Sequence, residues 1–172
     1  MSILDTVMKK VGSNQGGTQT LHAGEIYSLW EELAARYVSK EKTQLFTQFV
    51  EDPDFKIVIN TGLRTIEEQI NKLERIIEKY SVQAMERPPI NVNVDSNISA
   101  LTDEFIYVEI INGSQKFLDM HTRAYRGSHN DELRELYKKF IIEEIDVYDG
   151  LVTYGKIKGW LSKPPQVTPG NV

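Results

Sequence analysis

Between Ser81 and Asn97 the chain carries a segment that no helix can run through. Pro88-Pro89 offers no N–H to a helix and pushes the residue before it into extended backbone. Ile90-Asn91-Val92-Asn93-Val94 follows it and also favours an extended path. On either side lie two long stretches whose apolar residues recur every three or four positions, with almost no strand pattern anywhere. The length of this segment decides the topology. A helix of about 27 residues is about 40 Å long at 1.5 Å per residue. Some 17 extended residues reach about 55 Å at about 3.3 Å each. The segment is therefore long enough to return along a whole helix, so that the third helix can lie parallel to the second.

The first helix is expected to open at Thr18 or Thr20, either of which could cap it. Its core stripe reads Ile26, Leu29, Trp30, Leu33 and Tyr37. A second stripe, Val38, Leu45, Phe46 and Phe49, is offset near Ser39-Lys40, where a kink or break would fit. Leu45, Phe46 and Phe49 are read as core at the end of the bundle, or else as part of an assembly surface. Asp52-Pro53-Asp54 stops this helix and starts the next, with proline at the favoured first position. The second helix, Pro53 to about Tyr80, carries Phe55, Ile59, Leu63, Ile66, Ile70, Leu73, Ile77 and Tyr80 inward. Its charged residues form a solvated face.

The third helix is read from about Ile98 to Arg126, with Leu101, Phe105, Val108, Ile111, Phe117, Leu118 and Met120 inward. After a Gly127–Asn130 turn, the fourth runs from Asp131 to about Leu161. Leu133, Leu136, Phe140, Ile141, Val147, Leu151 and Tyr154 are its core positions. Gly150, Gly155 and Gly159 mark close helix contacts or fraying. Short turns make each helix pair an antiparallel hairpin. Two hairpins joined by one long crossover form an all-α, ferritin-like four-helix bundle. Residues 19–161 are its span, with the crossover at 81–97; residues 1–18 and 162–172 are read as flexible ends. A simple up-down bundle is the other topology open at this point.

Composition narrows the chemistry. The chain has 172 residues, no cysteine and three histidines. Thiolate metal sites, disulfides and cysteine nucleophiles are excluded. A formal net charge of −5 lacks the basic footprint that nucleic acid requires. No stretch approaches the about 18–20 apolar residues that span a bilayer, and Met1–Lys10 has no signal-like apolar run, so synthesis in the cytoplasm is expected. No phosphate-binding glycine loop or Gly-x-Ser-x-Gly elbow is present.

His22-Ala23-Gly24-Glu25-Ile26-Tyr27-Ser28-Leu29-Trp30, the turn Phe49–Phe55 and the late segment Tyr148–Trp160 carry a resemblance. Over about residues 20–161 the chain resembles the ferritin-like family of spore coat protein F and its uncharacterised relatives in spore-forming bacteria. The resemblance implies a four-helix bundle and association with the spore coat. It supplies no activity.

A di-metal centre in such a bundle needs a carboxylate from each of two helices and Glu-x-x-His from the other two. Glu25 stands at the first-helix carboxylate position of that pattern. The second helix offers Ile66-Glu67-Glu68-Gln69 and the fourth Glu144-Ile145-Asp146-Val147, neither with a histidine. On the third helix Glu104 or Glu109 could serve. His22, Glu25, Glu109 and Glu144 are thus weak metal candidates, and no cofactor is expected. His22 is otherwise a capping or core-edge residue, and His121 and His129 are read as surface residues.

Three functions stay open. The favoured one is a non-enzymatic structural or interaction protein of the spore coat, with protein partners and possible self-association. A metal-dependent ferritin-like oxidase and a bundle binding a small apolar ligand are the alternatives.

Overall fold

A computed structural model describes residues 20–88, 100–162 and 164. It holds four long helices: α1 (Ala23–Phe49), α2 (Pro53–Lys79), α3 (Asp103–Gly127) and α4 (Asp131–Lys158). Each start is set by a side chain that accepts the free N–H groups of the first turn. Asp52 accepts from Asp54 and Phe55 and has Pro53 behind it. Thr102 accepts from Phe105, and Asn130 from Leu133. The first cap is His22, not Thr18 or Thr20; Thr18 lies outside the described residues. The third helix starts at Asp103, five residues later than the apolar pattern suggested, because Thr102 provides the cap that Ile98 cannot. The fourth ends at Lys158 rather than near Leu161. Gly159, at φ 76°, takes the left-handed conformation that closes a helix.

α1 is unbroken through Ser39-Lys40. The offset between its apolar stripes has another cause. Its buried face contains Glu25, Glu32 and Arg36 between Leu29, Leu33 and Phe46. Ile26, Trp30 and Val38, read as core, are exposed, Val38 at 63%. Phe105 and Val108 on α3 are exposed too, and Ile106 and Tyr107 are buried in their place. On α2 the stripe from Phe55 to Ile77 is buried as its periodicity suggests, with Leu63 half-buried.

Contacts between helices fix the directions. Arg123 on α3 meets Glu31 on α1, and Glu109 meets Lys42, so α1 and α3 are antiparallel. Lys79 meets Glu132 and Lys72 meets Glu143, so α2 and α4 are antiparallel. α2 and α3 therefore run the same way, and Tyr80 and Asp103 lie at opposite ends of the bundle. Their connection must return the full length, as its reach allows; residues 89–97 of that crossover lie outside the described residues, as do 1–18 and most of the 162–172 tail. At the far end the Asp103 carboxylate accepts the N–H groups of Glu51 and Asp52, which ties α3 to the α1–α2 turn.

The apolar interior is in two parts. One gathers Leu29, Leu33, Ile70, Leu73, Leu133 and Phe140. The other gathers Phe46, Phe55, Ile59, Ile106, Tyr107 and Leu151. Beyond Gly159 the chain folds back, and Trp160 packs on Phe55 with ring centroids 5.4 Å apart. Each aliphatic side chain buried in these clusters contributes about 1.5–3 kcal/mol relative to exposure. A band of charged residues separates the two clusters.

Candidate functional site

That band is built by three helices. Glu32 and Arg36 are four apart on α1 and so share a face. Ser114 and His121 come from α3, and Glu144 from α4. His121 is fully buried and Arg36 is 3% exposed. The expectation that His121 is a surface residue is overturned. It continues the buried row Ser114, Phe117, His121 and Ala124, which an apolar-only count skips.

His121 Nδ1 lies 2.9 Å from Glu32 Oε1. Arg36 Nη2 donates to Glu144 Oε2 at 2.7 Å and stands 2.8 Å from His121 Nε2. Ser114 Oγ donates to Glu144 Oε1 at 2.7 Å. The Phe117 ring lies 3.5 Å below the Arg36 guanidinium carbon, a contact that holds a desolvated cation well. Glu144 is held below the ordinary carboxylate range: burial opposes its ionisation, and His121, Arg36 and Ser114 outweigh that. Burial likewise lowers the His121 imidazole, but the Glu144 carboxylate 3.8 Å from Nε2 and the hydrogen bond to Glu32 prevail and raise it. The direction follows from charge: around the imidazole the two carboxylates, Glu32 and Glu144, outnumber the one guanidinium.

An imidazole raised by folding contributes stability below its unfolded pKa of about 6.5 and loses it as pH climbs through the raised value. Glu32 and Arg36 from α1 and Glu144 from α4 are the ionisable groups facing it. The urea midpoint of the protein should therefore fall as pH rises from about 6.5 into the alkaline range. His121→Gln should flatten that slope. An equal slope in the variant would place the titrating group elsewhere.

The weak metal candidates are not brought together. Glu25 is buried at the end of α1, where its Oε1 accepts from His129 and Asn130 at 2.7 and 2.8 Å. Its Oε2 accepts from the His22 backbone at 3.0 Å. Burial works against this carboxyl, and the three backbone donors hold it below its ordinary range. His22 Nδ1 accepts from Gly24 and Glu25, which leaves Nε2 to donate to the Gly127 carbonyl. His22-x-x-Glu25 is thus a capping box with histidine in the usual serine place. Glu109 pairs with Lys42. Gln69, fully buried, donates to Glu143 at 3.0 Å, and Glu143 points away from Glu144. His129 is exposed. Among the described residues, no group of three or more His, Asp or Glu side chains is placed to hold a metal ion. The chemistry of the central donor set agrees. The Arg36 guanidinium already stands between its imidazole and carboxylates, so a dication there would face a fixed positive charge.

Beside the charged band lies a cavity of about 940 Å³. Residues of all four helices line it, including Phe46, Ile66, Phe117 and Val147, with Arg36 and Glu144 at its inner wall.

The family model for a protein of unknown function, DUF3231, matches residues 10–171. No curated protein matches the chain. Among solved structures, a "putative spore coat protein" from Bacillus halodurans C-125 is 21% identical, with TM-score 0.81 over 87% of this chain and 97% of that one. A conserved hypothetical protein from Mycobacterium tuberculosis is 7% identical, with TM-score 0.65 over 78% of this chain and 99% of that one. At these identities the two share the fold with this chain. No described helix is long and apolar enough to cross a membrane.

Proposed function

The chain belongs to the DUF3231 family, and from that premise we propose that it is a non-catalytic structural or interaction protein of the spore coat, built on a ferritin-like bundle. The observation that carries this reading is a buried charge cluster whose members are paired with one another. Glu32, Arg36, His121, Ser114 and Glu144 bind one another in the bundle centre. The coat association is supported by the Bacillus halodurans neighbour, whose name it is. Partners are then coat proteins or further copies of the chain. The outer face of α1 offers them the exposed aromatic pair Tyr27 and Trp30, 6.2 Å apart.

A fluorescently tagged copy in a sporulating host should appear during sporulation and remain with purified spores. A copy made only in growth and absent from spores sinks the reading. Elemental analysis separates it from the oxidase alternative: protein purified without chelators should carry far less than the two ions per chain of a di-metal site.

A further inference from the structure

We propose that the cavity beside the charged band binds a single-chain amphiphile, a long-chain carboxylate whose tail enters between the helices. This goes beyond the coat assignment and stands or falls apart from it. The size is suitable: about 940 Å³ lies at the upper end of the about 300–1,000 Å³ typical of small-molecule sites. The lining suits a tail. Phe46, Val58, Ile66, Phe117, Val147 and Leu151 face the space, and it sits at the joint where the two apolar clusters fail to meet.

Glycines keep it open. Gly62 on α2, Gly113 on α3 and Gly150 on α4 line it, and a Cβ on any of them would meet nothing within 4 Å. A helix interior normally favours alanine over glycine, so no packing demand explains three glycines there. Val38 on α1, Ile57 on α2 and Ile157 on α4 line it and are exposed, the last at 76%, so the space is open to solvent.

The charged lining residues differ from helix to helix, and that difference chooses the head group. The α1–α3 side carries Lys42, Lys116 and Glu109, with Lys42 and Glu109 paired. Lys116 therefore supplies the excess positive charge. The α2–α4 side carries Asp146 and Asp149. An anionic head is attracted beside Lys116 and repelled beside Asp146 and Asp149. Arg36 and Glu144 neutralise each other at the inner wall and leave that wall to the tail.

The experiment is titration of the purified full chain with the fluorescent fatty acid cis-parinaric acid, followed by competition. Expected is saturable binding of one probe per chain, displaced by palmitate. Gly62→Leu and Gly150→Leu should each weaken it by about tenfold or more. Both add helix-favouring side chains into open space, so both should fold; circular dichroism checks this. Lys116→Glu should weaken palmitate and leave hexadecanol unchanged. Absence of saturable binding overturns the proposal, and so does binding indifferent to the glycine variants. Equal loss of palmitate and hexadecanol on Lys116→Glu overturns the head-group assignment. Flotation with phosphatidylglycerol vesicles without palmitate binding shows that a bilayer surface is the partner instead, and overturns it too.

Discussion

Arg36→Ala is expected to lower the unfolding free energy by about 3–5 kcal/mol. The cost does not come from losing a favourable ion pair. A buried pair contributes little beyond its own desolvation, but removing one member strands the other. Without Arg36, Glu144 loses its cationic partner in a site where it is 4% exposed. A domain of this size holds about 5–15 kcal/mol in total, so the loss is a large share. The control follows from the same physics. Arg36→Met, Glu32→Met, His121→Phe and Glu144→Leu together replace the cluster by apolar groups of similar volume. That variant should match or exceed native stability, by up to about 4 kcal/mol. Urea unfolding of both proteins tests the pair of claims. A single Arg36 variant within about 1 kcal/mol of native would show that the guanidinium does not hold the carboxylates.

Gly155→Ala should reverse the usual sign of a glycine-to-alanine change in a helix. In open helix the change gains up to about 1 kcal/mol, as expected here for Gly150→Ala. At Gly155 the added Cβ would stand 1.9 Å from Tyr107 Oη and 2.3 Å from Cζ. The tyrosine has no free path away. It is fully buried, it packs near Phe55 and Trp160, and its hydroxyl donates to the Leu151 carbonyl at 2.9 Å. Overpacking of this kind costs about 1–3 kcal/mol, occasionally more. Tyr107→Leu should relieve most of the added cost, so thermal or urea unfolding in a double-mutant cycle should show strong coupling between the two positions. Additive effects would mean that α3 and α4 do not touch there.

The residues that announce the fold are those whose role is local. The α2 stripe could be read because apolar burial and helical period coincide on one element. The reach of the crossover could be read from length alone, and the packed directions of α2 and α3 agree with it. The charged centre could not be read this way. Glu32, Arg36 and His121 lie on buried faces at helical spacing, but their partners come from other helices. A charged residue enters the interior only when a distant partner meets it, and no local pattern reports that. Apolar period alone therefore places Trp30, Val38, Phe105 and Val108 inward and leaves His121 outside. The His22 cap is legible in part: the sequence offers His22 as a capping or core-edge residue, and His-x-x-Glu ahead of an apolar run has the capping-box spacing. The close approach at Gly155 was partly legible, because glycine inside a helix asks for a reason. Which of the three glycines supplies one depends on Tyr107, a helix away.

The parallel course of α2 and α3 has a consequence for how such bundles connect to anything else. With simple alternation, a four-helix chain enters and leaves at one pole. Here α4 runs in the same sense as α1. His22 lies beside Gly127 at one pole, and Lys158 lies beside Asp52 at the other. Those poles are about 40 Å apart at 1.5 Å per helical residue. The bundle is traversed from pole to pole, like a link in a chain, and attachments at its two ends lie in series along one axis.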